Sequence, residues 1–302
     1  MIKRIINAIT KRIKRGYIFN IKVKTAHPAG YFYSPIVNPK DLLDKEDQIW
    51  PDNPIIKGIN FNDIYHQKVL NEIFPRYISA YQYPEFPDET FTDTQYYTQN
   101  SQFSWLDSRT LFVLLNHWKP KRMIEVGSGF SSLLTAHVNH NYLEDSINFS
   151  CVEPYPREFL KKKIPGLNKV IVEKVEDVDK ALFAALEAGD ILFIDSSHVS
   201  KTGSDVNFLF FEILPILKKG VKIHIHDIFF PYDYPKEWVL KDNRSWNEQY
   251  LLRALLMYSD TFKVLFGCSY AYYKFPDLVV KALNHQKKQG FGGCSIWIEK
   301  TK

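Results

Sequence analysis

The sequence predicts an α/β fold, a doubly wound Rossmann-like sheet that carries an aromatic-rich N-terminal extension. Three observations predict it. Short apolar runs recur with helical stretches between them, the first run ends in a two-glycine turn, and acids or histidines stand at the carboxyl end of later runs.

The first run lies in RMIEVGSGFSS, where Met123, Ile124 and Val126 suit a parallel strand covered on both faces and therefore showing little alternation. Gly127 and Gly129 permit a tight turn and close approach of a ligand to the backbone. Ser131 and Ser132 are placed to cap the helix that starts there. The turn reads as a cradle for a nucleotide cofactor. It lacks the third glycine of G-x-G-x-x-G, since Ser132 stands in that place, so nicotinamide dinucleotides are disfavoured.

Residues 147–152 form the second predicted strand, ending at Glu153, about 24 residues beyond Gly129, where a carboxylate can accept both ribose hydroxyls. The competing role for Glu153 is capping of a helix after Pro154 and Pro156. A helical stretch is predicted over 157–163. A short third strand follows at 169–172, with Glu176 and Asp177 beyond it in reach of an adenine. The fourth strand, 191–194, ends in Asp195, Ser196, Ser197 and His198, and the fifth, 221–225, ends in His226 and Asp227. In an open parallel sheet that edge holds the ligand crevice.

The run EVGSGFSS, the acid Glu153 and the segments LFIDSSH, ILPILKKG and IHIHD together resemble the class I S-adenosylmethionine-dependent methyltransferases, nearest the catechol O-methyltransferase-like branch. The resemblance covers residues 105–302, and GGCSIWIEK from Gly292 resembles the family's last strand, which implies an antiparallel neighbour in an otherwise mostly parallel sheet. It implies S-adenosylmethionine as cofactor. Glu125, Gly127, Ser128 and Gly129 would then contact its methionine part, Glu153 the ribose, and Glu176 or Asp177 the adenine end. Asp195, Ser196 and His198 would face the methyl group.

Methyl transfer from a sulfonium is an in-line displacement, so the protein must position an acceptor and, for a hydroxyl, remove its proton. His198 and His226 are the candidate bases, with Asp227 beside them, and His198 is preferred. Alternation puts His224 and His226 on one strand face, so one of the two is structural. The same cluster offers a divalent metal site at Asp195 and Asp227. Catechol-type relatives complete theirs with an asparagine after the second aspartate, where this chain has Ile228, so His226, His198 or Asn247 would have to substitute. Mixed oxygen and imidazole donors favour manganese, iron or zinc.

The chain has 302 residues, 45% hydrophobic and 24% charged, enough for one large domain with an extension. Cys151, Cys268 and Cys294 show no paired spacing and read as buried thiols in a reducing compartment, which predicts a cytoplasmic protein. Residues 1–16 place Ile2, Ile5, Ile6, Ile9 and Ile13 at helical spacing among six cations. This basic amphipathic helix suits either a membrane surface, peripheral on the inner face, or packing on protein. Those six cations exceed the net charge of +5, so the rest carries no stripe for nucleic acid.

Residues 17–104 are rich in aromatics and prolines and read as packing on the main domain, residues 105–302, or as a lid over the acceptor. Tyr96, Tyr97 and Phe103 precede a helix predicted from Leu106 to Trp118. The aromatic loop IFFPYDYPKEWV, before a helix starting near Trp246, is the better acceptor candidate, with Arg244 available for an acidic group. The sequence thus points to methylation of a hydroxyl on a sugar, glycan or other small acceptor. The alternatives are a metal-dependent oxygenase on the same sheet and a noncatalytic membrane-associated scaffold. Oligomeric state is not legible.

Overall fold

A computed structural model describes residues 25–87, 89–284 and 293–302. The helix predicted over 1–16 lies outside the described residues. The chain divides into two compact units, Met1–Asp44 and Lys45–Lys302. In the first, the described residues form turns in which the His27 ring stacks on Tyr31 at 5.2 Å between centroids. No helix among the described residues is long and apolar enough to cross a membrane.

The second unit is built on seven strands: β1 (Arg122–Val126), β2 (Asn148–Val152), β3 (Lys169–Ile171), β4 (Ile191–Ile194), β5 (Lys222–Ile225), β6 (Phe262–Gly267) and β7 (Ile296–Lys300). Their order in the sheet is β3-β2-β1-β4-β5-β7-β6. The first five run parallel, and β7 lies antiparallel between β5 and β6, as the resemblance implied. The order reverses at β1 and β4, which opens the crevice above their carboxyl ends.

The apolar monotony of these strands has a direct cause. Met123, Phe149, Ile191, Phe193 and Trp297 point to one core, while Ile124, Val152, Leu192, Ile194 and Ile223 point to a second core on the other face. Period-2 alternation therefore exists, but both faces are covered, so both sets are apolar. The first core packs α2 (Trp105–Trp118) and α3 (Phe130–Tyr142); before them, α1 (Asp63–Lys68) runs beside β6. Val69, Leu70, Phe74, Tyr96 and Phe103 belong to that same core. Residues 45–104 of the expected extension lie in the same compact unit as residues 105–302.

Local expectations were corrected in two places. The stretch 157–163 is only a short 3-10 turn, Glu158–Lys161, because Pro154 and Pro156 shape a tight connection with no room for a full helix. Helix α3 begins at Phe130 with Gly129 as its cap, so Ser131 and Ser132 lie inside its first turn, Ser132 Oγ accepting the Gly129 N–H at 3.1 Å. Beyond β5 come α4 (Lys236–Leu240) and α5 (Glu248–Tyr258), the latter starting two residues after Trp246.

Gly127 has φ +80°, and a Cβ there would stand 1.8 Å from the Asp195 carbonyl oxygen. Both partners are main chain and cannot step aside. Gly127→Ala should lower unfolding free energy by roughly 3 kcal/mol or more in urea denaturation, combining left-handed strain and overpacking; a loss under about 1 kcal/mol would show that the turn relaxes freely. His66 supplies a second test. Its Nε2 accepts the Gly267 N–H at 2.8 Å, so its proton sits on Nδ1, facing the Asn62 carbonyl at 3.3 Å. Burial lowers its pKa from the ordinary 6.5 to about 4. The unfolded chain therefore takes up the proton first as pH falls. Stability from this group is complete above pH 6.5 and about 3 kcal/mol of it is lost between 6.5 and 4. Equilibrium unfolding across that range should show the slope in the native chain and a flatter one in His66→Gln.

Candidate active site

The carboxyl ends of β1, β4 and β5 open into a cavity of about 850 Å³. Its floor is Asp195, His198, His226 and Asp227, one side is the turn Gly127, Ser128 and Gly129 with Glu153, and the other is Trp238, Arg244 and Trp246. Residues 99–104 line its mouth. Asn100 shapes that segment: its Oδ1 accepts the Gln102 and Phe103 N–H groups, and its Nδ2 donates to the Tyr97 and Phe103 carbonyls.

On the floor, His198 Nε2 lies 3.4 Å from both Asp195 Oδ1 and Asp227 Oδ2, while its Nδ1 meets Glu248 Oε2 at 2.9 Å. His226 Nδ1 lies 3.6 Å from Asp227 Oδ1 and 3.8 Å from Asp195 Oδ1. Its Nε2 faces Asp107 Oδ2 at 3.9 Å and Cys294 Sγ at 3.7 Å. Four carboxylates therefore surround two imidazoles. Burial opposes charge on both rings, but the surrounding acids win and raise both histidines well above the usual range. For Asp195, burial pushes its pKa up, and the His226 and His198 charges overcome that to hold it at about 2. Even with both rings protonated the acids outnumber them, so the floor is built to face positive charge.

His198 and Asp227 both have left-handed backbones, φ 61° and φ 55°. Such strain in non-glycine residues persists only where the surroundings fix it, and it gathers at functional sites. Here the clamp is visible. The His198 carbonyl accepts the Asn247 and Glu248 N–H groups at 3.0 and 3.2 Å, and Asn247 Oδ1 accepts the Ser200 N–H at 2.6 Å.

The structure sorts the sequence-predicted residues. Gly127, Ser128, Gly129, Glu153, Asp195, His198, His226 and Asp227 all line the cavity. Glu153 accepts the Tyr155 N–H at 2.8 Å and the Ser128 N–H at 3.1 Å across the turn. Glu125 does not line the cavity: fully buried beneath α3, it takes the Ser131 hydroxyl at 2.5 Å, and burial raises its pKa to about 8. Glu176 and Asp177 are carried away by the 3-10 turn Val175–Asp177, whose Val175 is the residue anchored in the core. Ser196 turns from the cavity toward Glu248, 3.4 Å from its Oε1. His224 is the structural histidine of its pair, stacked on Phe193 at 3.7 Å and fully buried. Asn247 grips the Ser200 backbone, not the cluster.

Three contributors escaped the sequence reading. Glu248 and Asp107 each look like an ordinary acid in the first turn of a helix. Asp107 in fact accepts the N–H groups of Gly293, Cys294 and Ser295 at 2.6, 3.1 and 2.8 Å, pinning the chain before β7 and bringing Cys294 to the floor. The cysteines are all buried and unpaired, as expected. Cys294 Sγ lies 3.3 Å from Asp227 Oδ1, a contact with no sequence signal.

A cofactor with a sulfonium and an adenosyl group fits these residues. The Ser128 hydroxyl is buried with no partner, Gly129 leaves open space up to Gln102 Oε1 at 3.7 Å, and the floor has excess negative charge. A divalent ion fits as well: Asp195, His198 and Asp227 present ligand atoms within 4.8 Å of one another, as do Asp107, His226 and Cys294.

Residues 124–228 match a family model described as a methyltransferase domain. An uncharacterised protein of Archaeoglobus fulgidus is 34% identical over 215 residues, covering 67% of this chain and 96% of its own. Solved structures resemble it more distantly. The O-methyltransferase of tomaymycin synthesis from Streptomyces achromogenes, bound to S-adenosylmethionine, is 12% identical with a TM-score of 0.40, over 82% of this chain and 100% of that one. An S-adenosylhomocysteine-bound methyltransferase of Podospora anserina is 14% identical at the same TM-score, over 93% and 100%. The family model, not these distant likenesses, carries the assignment. On that ground the chain carries a methyltransferase domain over residues 124–228.

Proposed function

We propose that this methyltransferase acts on a hydroxyl oxygen of a small acceptor of sugar or glycan type. The observation that carries the reading is His198 held between Glu248 on one ring nitrogen and Asp195 with Asp227 on the other, on the floor of the cavity that the glycine turn borders. The bound cofactor supplies a methyl group activated for in-line displacement. The protein's own work is positional and electrostatic. Glu153 and the Ser128 hydroxyl would hold the adenosyl and methionine ends, and Glu248 fixes the His198 ring so that Nε2 faces the floor; because the acids hold this ring protonated, it would receive an acceptor's proton only after losing its own, so the rate would rise with pH. Trp238 and Trp246 offer aromatic surface to a sugar, and Gln102 offers an amide.

A second reading is favoured by the same distances: Asp195, His198 and Asp227 hold a divalent ion, with Glu248 orienting the imidazole as outer carboxylates do in metal sites. The imidazole and the missing asparagine point to manganese, iron or zinc ahead of magnesium. Contact of residues 1–16 with an anionic membrane surface belongs to the reading on sequence pattern alone.

Transfer of labelled methyl from S-adenosylmethionine to a panel of sugars tests the proposal. His198→Gln should lower the rate by roughly 10²–10⁴ with cofactor affinity kept; an unchanged rate would remove it from the chemistry. Elemental analysis by mass spectrometry and activity after chelation decide the second reading: about one metal per chain and loss on chelation support it, and full activity without metal rejects it. Glu153→Ala should weaken S-adenosylhomocysteine binding by about 1.5 to 3 kcal/mol in calorimetry. Unaltered affinity would place the ribose elsewhere.

A further inference from the structure

Among the residues that line the cavity is a cation that methyl transfer itself does not require. The Arg244 guanidinium carbon lies 4.0 Å from the centroid of Trp238 and 5.1 Å from that of Trp246, and the two indoles meet edge to face at 5.2 Å. Trp246 in turn packs on the His198 ring at 4.4 Å. The Arg244 N–H donates to the Trp238 carbonyl at 2.9 Å, which fixes the loop that brings the three side chains together. Arg244 is therefore one indole ring away from the floor, lining the same cavity.

We propose that Arg244 is the recognition site for an oxyanion on the acceptor, a carboxylate, phosphate or sulfate group remote from the methylated hydroxyl. The inference rests on the acceptor reading above and adds the acceptor's charge. A guanidinium held over the Trp238 ring beside Trp246 is ordered by cation–π contact, which does not consume its N–H donors, and an ordered fork can bind an oxyanion through two parallel bonds. Asp242 takes one edge, its Oδ2 3.1 Å from Nη2, but this pair is partly exposed and so weakly bound. The rest of the five-donor fork is left for a ligand.

The charge layout gives the acceptor a direction. Asp195, Asp227 and Glu153 line the cavity with carboxylates that repel an anionic group, whereas Arg244, and Arg157 over the Phe130 ring, are the lining cations that attract one. An acceptor with one anionic end and one neutral hydroxyl end would enter with the hydroxyl toward His198. A neutral acceptor would receive no such orientation.

The test uses the full chain saturated with S-adenosylhomocysteine and titrated calorimetrically with pairs that differ by one oxyanion: glucuronate and glucose 6-phosphate each against glucose, and protocatechuate against catechol. At least one charged member should bind about tenfold or more tightly than its neutral twin, and the member that wins distinguishes carboxylate from phosphate. Arg244→Gln should erase the gap and Arg244→Lys, which keeps the charge but not the fork, should retain part of it, both with unchanged affinity for S-adenosylhomocysteine. A panel in which no charged member outbinds its twin, including one in which neither is held, overturns the proposal. So does a gap that survives Arg244→Gln, or a loss of cofactor affinity in both variants, which would assign Arg244 to the cofactor. If the gap is present while no sugar is methylated, the hydroxyl-transfer reading fails and the anion site stands.

Discussion

Two imidazoles held among four carboxylates at the ends of β4 and β5 are the constraint around which the upper part of this protein is arranged. Charges of this kind are tolerated in a half-buried setting only when each is paired and fixed in place. The pairing explains features that otherwise look unrelated. Glu248 is fully buried at the start of α5 because His198 needs a partner on its second nitrogen. Asp107 is buried at the start of α2 with three backbone N–H groups on its oxygens, and it tethers the segment that brings Cys294 beside His226. The left-handed conformations of His198 and Asp227 are held by these contacts, with strain at the reacting edge stabilised by packing around it.

The glycine turn and the cluster are one construction. Gly127 abuts the carbonyl of Asp195, and the Asp195 N–H donates to the Val126 carbonyl at 2.8 Å, so the ends of β1 and β4 are locked together. The cofactor side and the acceptor side of the cavity consequently share a rigid edge. Near-attack geometry depends on that rigidity, because small displacements of reacting groups cost large factors in rate. Above this edge the connections differ in character. The segment from Gln99 to Ser104 is tied down by Asn100, while the loop from Trp238 to Trp246 is held by edge-to-face indoles and Arg244.

How far the sequence could be read follows from the range of the forces involved. The strands were legible because burial on both faces leaves an apolar run in the sequence, and the strand-end residues Glu153, Asp195, His198, His226 and Asp227 were legible because sheet topology alone sends them to one edge. Residues whose position depends on distant partners were not. Glu125 was read as a cofactor contact because it stands beside the glycines, yet alternation along β1 turns it under α3 toward Ser131. Glu176 and Asp177 lie at the right distance along the chain, but a 3-10 turn after a three-residue strand takes them off the cavity. Glu248 is 50 residues from His198, and no local pattern announces that pairing. Which residues of the extension reach the core, Val69, Phe74 and Tyr96 among them, depends on tertiary packing in the same way.

The account stands or falls on a cofactor bearing a sulfonium and an adenosyl group in the cavity between the glycine turn and the acidic floor. Calorimetric titration of the purified chain with S-adenosylmethionine and with S-adenosylhomocysteine measures this directly. Saturable binding of both at one site per chain is the predicted result, and absence of binding by either would contradict it.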